Sequence, residues 1–260
     1  MRQFRVDVTA VGDGTGKLSW KEQSVDVATL QRGISLAADD ALIGKNLRRL
    51  TVEIPADDVP ARIALHRAGF RQEGRLRAAI ATPAGDFRDV LVYSRLASDV
   101  VYGQVGFSSV MNSVLPTKRV IAHALFTNPA GEVLLLETNY KPDWELPGGV
   151  VDPGESPRVG AEREILEELG IRIELGQPAL VDWMPPYLGW SDAIEFLYFG
   201  GALAAGVTDQ LRVQDRELRA VRWVAPDDVP GVVTDLSARR IAKLLNGETG
   251  HTEAGHLPER

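Results

Sequence analysis

An acidic helix with a defined start and end places the strongest constraint on this chain. Residues 148–171 read GGVVDPGESPRVGAEREILEELGI. Ser156 followed by Pro157 is a favourable N-cap and first helical residue, and Gly170 is a residue type that commonly ends helices in the left-handed conformation. The sequence therefore predicts one helix of about 13 residues within this segment.

Three glutamates share one face of this predicted helix. Glu164, Glu167 and Glu168 are three and four residues apart, which places their carboxylates about one turn from each other. Like charges at this spacing destabilise a helix by roughly 0.2–0.5 kcal/mol per pair, so lysines would suit a purely structural helix better. Two interpretations remain open at this point: a solvated acidic surface, or a site for a hard divalent cation, which prefers oxygen ligands.

The residues around this face add groups that a cation site would need, while the solvated surface stays open as the alternative. Gly148 and Gly149 precede the helix, and glycine lets the backbone approach closely and offer carbonyl oxygens. Glu155 adds a fourth carboxylate, and Arg163 stands where it can orient one of the acids through a charge-assisted hydrogen bond. Together these groups are typical of a Mg²⁺ site that bridges substrate phosphates.

Composition and charge exclude several other chemistries. The 260 residues include no cysteine, which rules out disulfides, thiolate metal sites, iron–sulfur clusters and cysteine nucleophiles. Four histidines without an HExxH motif argue against a histidine-based zinc site. Residues 101–260 hold 14 of the 29 basic and 23 of the 36 acidic residues, a poor match for a nucleic-acid duplex. Since neither a secretory signal nor a long apolar run is visible, the sequence predicts a soluble, cytoplasmic protein without membrane contact.

The acidic segment resembles the Nudix box, GX5EX7REUXEEXGU, in which U is a bulky aliphatic residue. Every fixed position of that pattern is matched, by Gly149, Glu155, Arg163, Glu164, Ile165, Glu167, Glu168, Gly170 and Ile171. The preceding Leu146-Pro147-Gly148-Gly149 also resembles the family's approach to the box, and the resemblance covers about residues 117–247. It implies fold class α/β, with an α/β/α sandwich around a mixed sheet. It also implies metal-dependent hydrolysis of a nucleoside diphosphate linked to another group, or of a related organic diphosphate.

The resemblance also implies roles for individual residues. The family's metal ligands, here Mg²⁺ or Mn²⁺ ligands, correspond to Glu164, Glu167 and Glu168, together with the carbonyl of Gly149. Glu155 is implied to act indirectly, behind the ligands. Arg163 is implied to orient the acids, and is counted among the catalytic residues for that reason.

The base that activates water is left open among three glutamates. Glu168 and Glu164 lie in the box, and Glu217 precedes a late strand, where many family members place an additional glutamate. Asp209 and Asp215 compete with Glu217 for that role.

Aromatic residues near the box are candidates for stacking on a nucleobase. We assign substrate binding to Trp144, Tyr187 and Trp190, while core packing remains the alternative for each of them. The segment Pro185-Pro186-Tyr187 lies where sub-family markers occur, but it combines features of ADP-ribose and dinucleoside polyphosphate hydrolases. The identity of the substrate therefore stays open.

The N-terminal part resembles the later portion of a GNAT acetyltransferase domain. The matching stretches are LRRLTVEIP, ARIALHRAGFRQEGRLRAAI and FRDVLVYSRL. In that family a R/Q-x-x-G-x-G/A loop binds the pyrophosphate of acetyl-CoA, and the corresponding place here is Leu30–Ser35, which departs from the pattern at its first and last residues. The resemblance implies a partial, inactive α+β domain that packs on, or forms a homodimer through, its sheet.

The predicted organisation has four parts. They are a GNAT-like domain at 1–100, a linker at 101–117, a Nudix domain at 118–247 and a disordered tail at 248–260. Two other functions remain as alternatives. One is a bifunctional protein with acetyl-CoA-dependent N-acetyltransferase activity, and the other is a non-catalytic Nudix regulator that senses a nucleotide, against which the intact box argues.

Overall fold

The computed structural model divides the chain into two compact units, Met1–Pro116 and Thr117–Arg260. This division falls one residue before the predicted start of the second domain. The residues that the structure describes are 4–21, 25–139, 141–204, 211 and 218–258.

In its described residues, the N-terminal unit is a five-stranded sheet with three helices. The strands are β1 (Val6–Gly12), β2 (Thr15–Trp20), β3 (Arg49–Pro55), β4 (Arg71–Ala81) and β5 (Phe87–Leu96). The helices are α1 (Val27–Asp39), which continues into a π turn at Asp40–Gly44, α2 (Val59–Arg67) and α3 (Gly103–Val114). The strand order is β1-β2-β3-β5-β4, and only the β2–β3 pair is parallel.

Helix α3 replaces the predicted linker at 101–117. Its buried residues Gly106 and Val110 face the unit, and a side chain at Gly106 would clash with the backbone of Val101. The helix has no side-chain cap, and its glycine, serine and asparagine content lowers helix propensity. The linker prediction was therefore wrong because tertiary packing, which a local pattern does not reveal, stabilises this helix.

The segment that corresponds to the pyrophosphate loop of GNAT proteins is helical. Leu30–Ser35 lies inside α1, which begins after Asp26, whose carboxylate accepts a hydrogen bond from the Thr29 N–H at 2.9 Å. Gly33 packs against Phe4, so it serves close packing of the helix. Backbone N–H groups in the middle of a helix are engaged with carbonyl groups and cannot bind an anion.

The C-terminal unit contains a seven-stranded mixed sheet. Its strands are β6 (Arg119–Thr127), β7 (Val133–Thr138), β8 (Gly148–Val150), β9 (Leu180–Met184), β10 (Ala193–Ala202), β11 (Leu218–Val224) and β12 (Gly250–Glu253). The order is β11-β7-β6-β10-β9-β12, with β8 paired to β6, and the β6–β10 and β9–β12 pairs are parallel. Among the described residues of this unit, two helices accompany the sheet, α4 (Pro157–Leu169) and α5 (Asp235–Leu245).

The two helices cover opposite faces of this sheet. Successive side chains of a strand point to opposite faces. Phe126 of β6 packs in a cluster with Ile165 of α4, and its neighbour Leu125 packs in a second cluster with Ile241 of α5. The predicted α/β/α sandwich is therefore confirmed. Within the described part of the chain, no helix is long and apolar enough to span a membrane.

The predicted disordered tail contributes a strand. In β12, Thr252 is buried and its hydroxyl donates a hydrogen bond of 2.6 Å to Asp182 of β9. The N–H of Gly255 donates to the same carboxylate oxygen at 2.8 Å. A polar composition suggested disorder, but a fully buried aspartate requires hydrogen-bond donors, and this segment supplies two of them.

We predict that Thr252→Val destabilises the C-terminal unit. The substitution preserves shape but removes one donor to the buried Asp182 carboxylate, so the free energy of unfolding should fall by about 1–3 kcal/mol. Urea unfolding measures the change. Thr252→Ser, which keeps the hydroxyl, is the matched control and should lose less. Equal stability of Thr252→Val and the unsubstituted protein would contradict the structural role of this segment.

Candidate active site

Helix α4 has the boundaries that the sequence predicts. It begins at Pro157, after Ser156, whose hydroxyl accepts a hydrogen bond from the Val159 N–H at 3.4 Å. It ends at Gly170, which adopts the left-handed conformation with φ of 72°. The fully buried side chain of Ile165 anchors the helix to the sheet. This anchoring fixes the rotation of the helix about its axis, and so determines where the face with the glutamates points.

The loop before the helix is held tightly against strand β6. Gly148 has φ of 126°, and a side chain there would clash with the carbonyl oxygen of Ala122. Only glycine meets both conditions without strain. The N–H of Gly148 donates a hydrogen bond of 2.9 Å to Glu168. The loop and the helix are thereby connected directly at the predicted site.

Gly149 forms a shallow cradle for Glu164. A Cβ atom at this glycine would lie 3.1 Å from Cδ and 3.3 Å from Oε1 of Glu164. A larger residue would therefore push the carboxylate away from the loop. The close approach of backbone and carboxylate brings together two of the predicted metal-ligand positions.

Arg163 is the centre of the charged cluster. Its Nε lies 2.9 Å from one oxygen of Glu155, its Nη1 lies 2.9 Å from Glu164, and Nη1 is 3.5 Å from Glu167. Asp152 is farther away, with 3.8 Å between its Oδ2 and Nη2. The hydrogen bond from Arg163, followed by that from the Asp152 N–H, lowers the pKa of Glu155. Glu155 is thus engaged by the arginine, as an indirect role would require.

These residues fit a divalent cation in chemistry and charge. One guanidinium faces four carboxylates, so the cluster is negative overall, and its donors are hard oxygen atoms. In the described part of the chain, no three acidic or histidine side chains converge as a ready-made metal cluster. The contacts give the reason, because Arg163 engages Glu164 and Glu167 while the Gly148 N–H engages Glu168. The sequence reasoning placed the glutamates on one face but did not foresee this separation.

Two of the three predicted substrate-binding aromatics meet in one turn. Tyr187 and Trp190 exchange backbone hydrogen bonds of 3.2 and 2.9 Å, and their exposed fractions are 50% and 64%. The turn lines a shallow pocket of about 470 Å³. The Arg119 guanidinium lies 4.7 Å from the Trp190 ring centroid, a cation–π contact that steadies the ring.

The third aromatic candidate lies apart from this pair. Trp144 is partly buried and packs against the core cluster on the α5 face, and its backbone N–H donates to the carbonyl of Val232 at 2.8 Å.

The acidic positions that were named for the base outside the box lie outside the described residues. They are Glu217 and its competitors Asp209 and Asp215.

A buried polar chain was missed by the sequence reasoning. Nδ1 of His123 lies 2.8 Å from Oε1 of Glu195, and the other carboxylate oxygen of Glu195 forms an ion pair with Arg240. Burial lowers the pKa of His123 to about 4 and that of Arg240 to about 10. The available signal was a histidine inside the otherwise apolar run RVIAHALF.

Comparisons with known proteins bear on the family of the C-terminal unit. The model of the NUDIX domain matches residues 117–245. A Bacillus subtilis (strain 168) protein provisionally named an 8-oxo-dGTP diphosphatase is 32% identical over 126 residues, which cover 48% of this chain and 79% of the relative. A MutT-like protein of Streptomyces ambofaciens is 30% identical over 139 residues, or 54% of this chain and 84% of the relative. The solved structure of a MutT Nudix hydrolase from Burkholderia pseudomallei is 30% identical, covers 52% of this chain and 100% of that one, and has a TM-score of 0.42.

The GNAT-like interpretation receives much less support. A GNAT-family acetyltransferase from Bacillus anthracis is 13% identical, covers 36% of this chain and 58% of that one, and has a TM-score of 0.33. A structural similarity this low does not establish the family of the N-terminal unit, so its resemblance to GNAT proteins stays a prediction.

The family assignment of the C-terminal unit rests on both motif and comparison. The prediction of a pyrophosphohydrolase is confirmed at the level of the enzyme class. The two relatives described above are at least 30% identical to this chain, and the matched regions span 79% and 84% of their lengths. With the NUDIX model matching residues 117–245, this chain belongs to the Nudix family.

Proposed function

We propose that this protein hydrolyses a phosphoanhydride bond in a nucleoside diphosphate linked to another group, or in a related organic diphosphate, with Mg²⁺ or Mn²⁺. The observation that carries the proposal is the cluster of four carboxylates around Arg163, next to the glycine cradle at 148–149. Phosphoanhydride cleavage depends on charge neutralisation and a positioned water rather than on covalent catalysis. An acidic, oxygen-rich site without a nucleophilic cysteine suits that chemistry.

Four groups of this chain would hold the cation. They are the carboxylates of Glu164, Glu167 and Glu168 and the carbonyl of Gly149. When bound, the cation supplies neutralisation of the diphosphate oxygens and a water of lowered pKa. Arg163 keeps two of the carboxylates on the correct side of the helix, and Glu155 keeps the arginine in place.

A glutamate accepts the proton of the attacking water. The candidates are Glu168, Glu164 and Glu217. We test Glu168 first, because its 2.9 Å hydrogen bond from the Gly148 N–H ties its carboxylate to the loop and fixes one oxygen in position. No covalent intermediate is required, so the chain needs to orient the water and receive one proton.

The exposed turn at Tyr187 and Trp190 provides a surface for a nucleobase. Arg119 covers one side of the Trp190 ring, and the ring is 64% exposed, which leaves area for stacking. The relative named for 8-oxo-dGTP suggests a nucleotide as the substrate class. Cytoplasmic location and homodimer formation stay predictions.

The two alternative functions have their own discriminating measurements. A bifunctional acetyltransferase requires acetyl-CoA binding, and Gly33, which corresponds to the pyrophosphate loop of that family, lies inside α1. Calorimetry with acetyl-CoA on the full chain tests this directly. A nucleotide-sensing regulator would bind nucleotides without turnover, so release of phosphate or monophosphate from a substrate panel separates it from the enzyme.

We predict that Glu168→Gln lowers kcat by about 10²–10⁴-fold with the fold preserved, because the amide cannot accept the proton. Initial rates with Mg²⁺ on a panel of nucleoside triphosphates and nucleoside diphosphate sugars measure the effect. Glu162→Gln is the matched control, since Glu162 lies on the same helix and holds the Leu175 N–H at 2.9 Å with an oxygen that glutamine retains. A normal rate in Glu168→Gln would show that the assigned site is wrong.

We predict that Arg163→Lys raises the Mg²⁺ concentration for half-maximal rate by about tenfold or more. A lysine cannot bridge Glu155, Glu164 and Glu167 at once, so the carboxylates lose their common partner. A Mg²⁺ titration of the initial rate, with Mn²⁺ binding followed by electron paramagnetic resonance, measures the shift. Arg158→Lys, at an exposed position of α4, should change neither value. Identical titrations for both variants would contradict the role of Arg163.

We predict that Trp190→Ala raises KM by about tenfold or more while kcat stays within about twofold, because stacking contributes equally to ground-state and transition-state binding. Steady-state kinetics on the preferred nucleotide measure both constants. Leu188→Ala removes a 76% exposed residue of the same turn and should have little effect. If KM does not respond to Trp190→Ala, the turn is not part of the substrate site.

A further inference from the structure

We infer that His123 reads the nucleobase of the substrate: its Nε2 accepts a hydrogen bond from an exocyclic amino group, while Glu195 and Arg240 hold the ring in place. The inference rests on the proposed function, because it assigns a specificity-determining residue to that site. His123 would be the residue in contact with substrate. Glu195 and Arg240 would be positioning residues that act through it.

The polar chain occupies a layer that is otherwise apolar. His123 lies two residues before Leu125 on the same face of β6, and Glu195 lies two residues before Leu197 on β10, where both leucines belong to the core cluster against α5. Arg240 enters the same layer from α5 and is 3% exposed. Even a paired buried charge seldom adds more stability than hydrophobic side chains of similar volume, so a purely structural layer would not need these groups.

The hydrogen bonds determine which nitrogen of His123 carries the proton. Arginine remains protonated in proteins, and its ion pair with Glu195 keeps that carboxylate ionised. An ionised carboxylate only accepts hydrogen bonds. Nδ1 of His123, 2.8 Å from Oε1 of Glu195, must therefore be the donor.

The imidazole is neutral at neutral pH. Burial lowers the pKa of His123 to about 4, an effect opposed by Glu145 and Glu164 and assisted by Arg240 and Lys141. With its one proton on Nδ1, the ring presents the lone pair of Nε2 on its other side. Among the described residues, Nε2 has no hydrogen-bond partner.

The position of the ring connects this acceptor to the candidate active site. The His123 side chain is 13% exposed and that of Glu195 is 5% exposed, so the accessible edge of the ring is the one away from Glu195. In the β6–β8 pairing, His123 lies opposite Gly148, whose N–H holds Glu168. His123 therefore belongs to the strand that holds this loop, and its accessible edge is the feature of β6 that a bound substrate could reach from there.

A fixed acceptor selects among nucleobases by their edge groups. The amino groups of adenine, cytosine and guanine are donors that the Nε2 lone pair can bind. An oxo group at the same place would direct its own lone pairs at Nε2, so no hydrogen bond could form and the two acceptors would repel each other. We therefore expect the protein to prefer the amino member of a matched nucleotide pair.

Binding of monophosphates to the full chain tests the preference without turnover. Calorimetry compares GMP with xanthosine monophosphate, AMP with IMP, and CMP with UMP. We expect at least one amino member to bind about tenfold more tightly, the effect of one net hydrogen bond. Equal affinities in all three pairs would overturn the inference. Hydrolysis measured in parallel keeps the two questions apart, because a protein that hydrolyses diphosphates but binds the pairs equally refutes only the role of His123.

Two substitutions test the residues themselves. His123→Phe keeps a ring without nitrogen atoms and should reduce the affinity ratio to about 1. In Glu195→Gln, Arg240 donates to the amide oxygen, which turns the NH₂ group toward Nδ1 and moves the imidazole proton to Nε2, so the preference should shift to the oxo member. His251→Phe, at an exposed position of β12, is the control and should keep the original ratio. An unchanged ratio in His123→Phe would overturn the inference.

The tautomer is measurable without any substitution, in case a variant fails to fold. Long-range ¹H–¹⁵N correlation spectra of the ¹⁵N-labelled full chain distinguish a protonated Nδ1 from a protonated Nε2. We expect the Nδ1–H form, with the Nε2 signal moving when the preferred monophosphate is added. The Nε2–H form, or an Nε2 signal indifferent to the nucleotide, would overturn the inference.

Discussion

The arginine of the acidic cluster is the interaction on which the rest of the site depends. Like charges one turn apart repel, and no hydrophobic contact can hold exposed carboxylates together. Arg163 does so because its planar fork presents several donors at once, with 2.9 Å contacts to Glu155 and Glu164. The same contacts stabilise the cluster and hold the carboxylates of Glu155 and Glu164 on the side of the helix where the arginine lies. Since the guanidinium neutralises one charge among four, the cluster stays negative, and this remaining charge is what a divalent cation and its phosphate ligand can use.

The glycine pair before the helix complements this electrostatic arrangement with a steric one. Gly148 is pressed against β6 so closely that no side chain fits, and Gly149 leaves room for Glu164. Backbone and helix therefore meet at a separation that side chains would otherwise prevent. These two glycines, at which a side chain would crowd the neighbouring atoms, are therefore also next to the proposed metal ligands.

The helix and its glutamates could be predicted because their signals are local. Ser156, Pro157 and Gly170 each act within one turn, and the spacing of the acids depends only on helical periodicity. What escaped prediction depends on contacts between distant segments. Helix α3 has weak propensity and is held by packing, and the strand after residue 249 exists because Asp182, about 70 residues earlier, needs donors. The separation of the three glutamates likewise depends on which donors reach them, and the sequence does not contain that information in any local pattern. The base candidate Glu217 and the substrate assignment stay predictions.

The last strand of the sheet has a consequence for the behaviour of the protein in solution. By pairing in parallel with β9, β12 covers backbone N–H and C=O groups that would otherwise lie at an open edge. An open edge beside the buried Leu180 and Asp182 would offer a template for pairing with another chain. A protein shortened by its final ten or so residues would therefore show its defect first as self-association and loss of soluble material, ahead of any change in the chemistry at the distant glutamates.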